Sequence, residues 1–142
     1  MQHHPPHDNP SAIPILGRIM MAILFLFSGI EKVLDPGHTI EAIRSVGLPF
    51  PHLGLAIAVL LGLGGGAMLI LGIRTRMVAV VLAVYCVVAG VIFHNPFESI
   101  PQAIQLIKNV AIAGGLLQVA AFGAGRYALD RMSTGRKLTH RA

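Results

Sequence analysis

From Leu53 to Ile73 the chain carries no charged or polar side chain. At about 1.5 Å per residue such a run makes a helix of roughly 30 Å, the thickness of a bilayer hydrocarbon core. A second run, Met77 to Phe93, follows after only Arg74-Thr75-Arg76. Before them, Ile13 to Ile30 is apolar except for Arg18 and Ser28, and after them Ala103 to Phe122 is apolar except for Gln105, Lys108, Asn109 and Gln118. Spans of about 13–30, 53–73, 77–93 and 103–122 define an all-α, polytopic four-helix membrane domain over 15–125. Composition agrees, since 54% hydrophobic and 12% charged residues leave too little polar surface to cover a soluble globule of this size.

Between the first two spans, Ile40, Ile43 and Val46 recur at helical spacing opposite Glu41 and Arg44, the pattern of a short helix lying at the membrane interface. Asp35-Pro36-Gly37 precedes it, and Gly47-Leu48-Pro49-Phe50-Pro51 ends it. Residues 1–14, with His3, His4, His7 and four prolines, read as a disordered tail. The spacing of those histidines is irregular and predicts no metal site. The first apolar run ends without a small-residue cleavage pattern, so the first helix is expected to be retained. Cys86 is the only cysteine, which excludes a disulfide or a CxxC pair within the chain.

The net charge of +5 does not point to nucleic acid. Five of the 11 basic residues follow the last apolar run, with no aromatic or glycine pattern among them. Membrane topology accounts for them better. Four spans put both termini and the Arg74–Arg76 turn on one side, collecting Arg18, Arg74, Arg76, Arg126, Arg131, Arg136, Lys137 and Arg141 against Lys32, Arg44 and Lys108 on the other. The positive-inside bias then makes both termini cytoplasmic, with 126–142 a basic cytoplasmic tail and Glu31, Asp35, Glu41 and Glu98 outside. Arg18 reads as a topogenic arginine that snorkels to the cytoplasmic surface. It shares a helix face with Lys32, about 40° away at 100° per residue, so the two are expected to face the bundle together or not at all.

Glycines mark the expected packing surfaces. Gly62 and Gly66 form a G-x-x-x-G in the second span, and Gly114-Gly115 lie in the fourth, where bare backbone permits close helix approach. Packing outweighs the alternative that the bare backbone admits a flat ligand.

Taken in order, Arg18, Phe27-Ser28-Gly29-Ile30-Glu31-Lys32 with Asp35-Pro36, Gly47-Leu48-Pro49, Gly65-Gly66, Leu71-Gly72 with Thr75-Arg76, His94, and Lys108-Asn109 before Gly114-Gly115 resemble the DoxX family of small membrane proteins. The ending Gly125-Arg126-Tyr127-Ala128-Leu129-Asp130 is similar too. The family commonly has a glutamate in the second span where Gly62 stands here; either Glu31 replaces that acid or the function it carries is absent. The resemblance implies a multi-pass protein of the cell (inner) membrane. It further implies a subunit of a quinone-linked redox complex concerned with sulfur or oxidative stress, working with soluble redox enzymes or as a homo-oligomer. It implies no covalently bound cofactor and no complete catalytic machinery, so no catalytic residue is assigned.

A quinone needs an apolar slot with a donor or proton relay near its carbonyls. The residues that qualify are Glu31, Lys32, His94, Lys108 and Asn109, all expected at the outer end of the bundle. Two readings of them stand. Glu31 and Lys108 form a structural ion pair or simply snorkel, or the five line one pocket that binds or protonates a ligand; the first is preferred, because intramembrane charge marks function often but not always. The competing functions are a scaffold that recruits soluble enzymes through its tails and a small transporter. The last lacks proline-interrupted helices and a midplane charge.

Overall fold

The computed structural model describes residues 12–123. The disordered reading of the N-terminal tail and the basic reading of 126–142 fall on residues that lie outside that range, apart from 12–14. Five helices follow one another: α1 (Ile13–Leu34), α2 (Pro36–Ser45), α3 (Pro51–Leu71), α4 (Thr75–Phe93) and α5 (Ile100–Phe122). All but α2 are long and apolar enough to cross a membrane. Among the described residues there is no strand.

Proline and capping side chains set most of the helix starts. Pro14, Pro36, Pro51 and Pro101 each occupy the first turn of a helix, where a missing N–H costs nothing and the fixed φ suits the fold. Asp35 ends α1 and begins α2, its carboxylate accepting from the His38 backbone N–H at 3.3 Å. α1 therefore runs a full turn past its apolar stretch, through Glu31 and Lys32. Ser99 caps α5 in the same way, accepting from the Gln102 N–H at 3.4 Å, which starts that helix before Ala103. The turn between α3 and α4 is made by left-handed residues, Gly72 at φ 68° and Arg74 at φ 45°.

One stretch of α3 is not α-helical. Leu60–Gly65 is wound as a π-helix, whose i→i+5 bonding widens the turn. Three of its six residues are Gly62, Gly64 and Gly65.

α1 turns one narrow stripe inward: Arg18, Ala22, Phe25 and Gly29. This stripe crosses α3 so closely that a Cβ on Gly62 would stand 2.9 Å from the Gly29 Cα and 3.0 Å from the Phe25 carbonyl oxygen. One turn on, a Cβ on Gly66 would meet the Ala22 carbonyl oxygen at 3.1 Å. The G-x-x-x-G thus lies at the α1–α3 crossing. Gly65, pointing the other way, lies against Leu82 of α4. α4 and α5 pair along their length, with Gly90 opposite Asn109. A core of Ala22, Phe25, Leu69, Leu82, Cys86 and Leu116 joins the two pairs. α2 lies across the start of α3, its buried Ile43 under Gly54, and leaves Glu41 and Arg44 exposed. Most other large apolar side chains point outward, as a lipid-facing surface requires.

The two glycines of α5 differ. Gly115 receives the tip of Met21 from α1, whereas Gly114 has nothing within 4 Å of the place its Cβ would take. Neighbouring residues of a helix point about 100° apart, so only one of the pair can face α1.

Candidate functional site

The position of every polar side chain at the loop end follows from how α1 and α5 are rotated. On α1, Gly29 is pinned against α3. Lys32 is three residues further, about 60° round, which leaves it half-buried on the flank toward α5. Its ammonium donates to Ser28 Oγ at 2.8 Å and to the Ser28 carbonyl oxygen at 3.3 Å. Glu31 is two residues from Gly29, about 200° round, and is exposed on the far side of the helix. Adjacent residues cannot both face the bundle, and here the lysine does.

On α5, Asn109 is held against Gly90 of α4 and donates from Nδ2 to the Gln105 carbonyl oxygen at 3.0 Å. Lys108 lies about 100° away, exposed on the flank toward α1. Its level follows from the contact between Met21 and Gly115. Seven residues, two turns or about 10.5 Å, lead from Met21 to Ser28 along α1, and seven lead from Gly115 back to Lys108 along the antiparallel α5. Both steps go toward the loop end and return to nearly the same face. Ser28 and Lys108 therefore stand at one level on the α1–α5 seam, with Lys32 a turn beyond.

His94 belongs to the other seam. It closes α4, its backbone N–H reaching the Gly90 carbonyl oxygen at 3.1 Å, and its Nδ1 lies 2.8 Å from Gln102 Oε1. The Gln102 carbonyl oxygen can only accept, so His94 Nδ1 is the donor in this pair. This bond ties the end of α4 to the first turn of α5.

The five residues are thus divided. Lys32 and Lys108 flank the α1–α5 seam, His94 and Asn109 lie on the α4–α5 seam, and Glu31 faces outward. Glu31 and Lys108 form no ion pair with each other among the described residues. The expected pairing rested on a shared depth, and rotation about α1 separates the two. Among the described residues no three of His, Cys, Asp and Glu come together, and His38, His52 and His94 are not grouped.

At the opposite end a polar residue emerges that reading by depth misplaced. Arg18 does not snorkel outward. It is 3% exposed, and its Nη2 reaches the Ile70 carbonyl oxygen at 3.5 Å, near the end of α3. Thr75, at the start of α4, is fully buried beside that end. The signal was present in the sequence, because Arg18 precedes Ala22, Phe25 and Gly29 by four, seven and eleven residues, the inward stripe of α1. The expectation that Arg18 and Lys32 face the bundle together agrees with one buried and the other half-buried.

Four spanning helices, a short helix between the first two and close glycine crossings define a small integral membrane protein. Residues 13–95 match the DoxX family model, and the chain belongs to that family. It is similar to the inner membrane protein YqjF of Escherichia coli K12, 31% identical over 118 residues that cover 83% of this chain and 89% of that protein. It is similar also to the inner membrane protein YphA of the same organism, 33% identical over 132 residues that cover 87% and 94% respectively. No solved structure matches significantly.

Proposed function

We propose that this protein is the membrane subunit of a redox complex and that the loop end of its α1–α5 seam receives the head group of a quinone. The observation that supports the reading is the Met21–Gly115 contact, from which helix geometry sets Ser28 and Lys108 at about one level on α1 and α5 and Lys32 a turn beyond. Lys32 has three donors and gives two of them to Ser28, which fixes its direction and leaves one for a carbonyl oxygen. Lys108 supplies a second donor from the other flank. Two ammonium groups flanking the seam favour negative charge on the oxygens between them and can pass protons to those oxygens.

A quinone supplies two-electron, two-proton chemistry. On this reading the electrons come from a soluble partner enzyme. By the positive-inside bias both termini are cytoplasmic and this seam opens on the other face of the inner membrane.

The test is photolabelling with an azidoquinone in reconstituted membranes, followed by peptide mapping. Labels are expected on the segments around Ser28 to Lys32 and around Lys108, with a large loss in Lys32→Met combined with Lys108→Met. Equal labelling of that variant overturns the assignment. The exposed, outward Glu31 favours a second reading, a scaffold that recruits soluble enzymes. On that reading co-purification of partner proteins is unchanged by the lysine substitutions and no quinone is labelled.

A further inference from the structure

The core that joins the α1–α3 pair to the α4–α5 pair stops short of the loop end. On α5 its members are Ala113 and Leu116, with Ile112 packed against them, and no residue of α5 before Ala113 is buried. On α1 the last member is Phe25, and on α4 it is Cys86. The buried residues one turn beyond these two serve one pair each: Gly29 is pinned to α3, and Gly90 lies on Asn109 of α5.

The same faces continue toward the loops with polar residues. Gln105 precedes Ile112 by seven residues, so it points within about 20° of the same direction and stands about 10.5 Å nearer the loops. Lys32 follows Phe25 by seven on α1 and continues that face in the same way. Yet Gln105 is exposed and Lys32 only half-buried. The exposure of Gln105 is not that of a lipid-facing residue, because it lies on the side of α5 that Leu116 buries completely further down. It marks a cleft between the two pairs, with Ser28 and Asn109 half-buried at its sides. Among the described residues the Gln105 amide has no hydrogen-bond partner.

We propose that this cleft is an aqueous crevice, open at the loop end and floored by Phe25, Cys86 and Leu116, which admits water and small hydrophilic solutes. Polar groups without protein partners are where internal water gathers. Acyl chains suit the cleft less well, since hydrocarbon would leave the Gln105 amide unsatisfied beside the Lys32 ammonium. The crevice does not rest on the quinone reading. It gives Lys32 and Lys108 a route for protons whatever ligand they meet, and failure of quinone labelling leaves it standing.

Single cysteines on a Cys86→Ala background test it. Proteoliposomes are freeze–thawed with a charged, membrane-impermeant methanethiosulfonate, so that both membrane faces meet the reagent and orientation does not matter, and modification is followed by mass. Ile107 and Phe27 are exposed on the outward faces of the same helices and supply the lipid-facing comparisons. Gln105→Cys should react at least about tenfold faster than Ile107→Cys, and Ser28→Cys than Phe27→Cys, because a thiol facing hydrocarbon ionises less readily and meets no charged reagent. Ser28→Cys is close in size to the residue it replaces and decides the matter where Gln105→Cys fails to fold. In the wild type Cys86, buried in the floor, should stay unmodified. Rates at 105 and 28 no faster than at 107 and 27 overturn the proposal. So does reaction of Gln105→Cys with a lipid-soluble maleimide alone, which would fill the cleft with acyl chains, and so does modification of Cys86 as fast as of Gln105→Cys, which would remove the floor.

Discussion

α1 meets α3 and α5 along two seams of opposite character. Against α3, backbone touches backbone: Gly29 lies on Gly62, and the Ala22 carbonyl lies over Gly66. Against α5, the contact at the same depth is the flexible tip of Met21 on Gly115. A backbone cannot step aside, whereas a methionine has three rotatable bonds and adapts. One seam therefore fixes how α1 is rotated, and the other can yield to what comes between the helices. The polar residues with chemistry to offer, Lys32 and Lys108, flank the yielding seam.

Substitutions can break this contrast. Gly62→Leu should have the largest effect, because its side chain would be driven into the Gly29 Cα and the Phe25 carbonyl. A loss of about 3 kcal/mol or more is expected, read as a fall in thermal unfolding temperature in detergent. Wild-type stability in that variant would mean that α1 and α3 do not cross there. Gly115→Leu should cost less, about 1 kcal/mol, since Met21 can swing away. Gly114→Leu serves as its control and should be silent within about 0.5 kcal/mol. A large loss at Gly114, or a changed oligomeric mass, would show that this open face meets a second copy.

The smallest expected effect is a coupling. Glu31→Gln and Lys108→Met, on faces that do not meet, should change stability additively to within about 0.5 kcal/mol in a double-mutant cycle. A coupling well above that would restore the ion pair that their shared depth suggested and would mean that α1 is rotated in the membrane.

Depth was legible in the sequence and rotation was not. The uncharged run from Leu53, the basic turn at Arg74 and the polar interruptions after Ala103 mark which residues cross the bilayer and roughly how far in each lies. The family was readable from the order of short motifs. Which of Glu31 and Lys32 faces inward depends on Gly29 meeting Gly62, a contact between separate helices that no local pattern announces. Arg18 shows the same difficulty from the other side, for a lone arginine near a span end can snorkel or be buried, and only its register with Gly29 decides. Polarity misleads as well. α5 is the least apolar span and also the least buried, so polar residues such as Lys108 did not mark an inward-facing helix.

The widened stretch at Leu60–Gly65 makes α3 behave as two rods joined at a fixed angular offset. Upstream, Gly54 and Ala58 are set toward α2 and the interior; downstream, Gly66 and Leu69 are set toward α1 and the core. Removing a single residue from the join would allow regular α-helical winding to resume with the two halves close to their present register, because the wide turn takes in about one extra residue. Removing one from a regularly wound part would instead turn everything beyond it by about 100° and present its contacts to the wrong neighbour. This span should therefore accept most apolar exchanges at its lipid face and the loss of one residue at the join, and reject a change of length elsewhere.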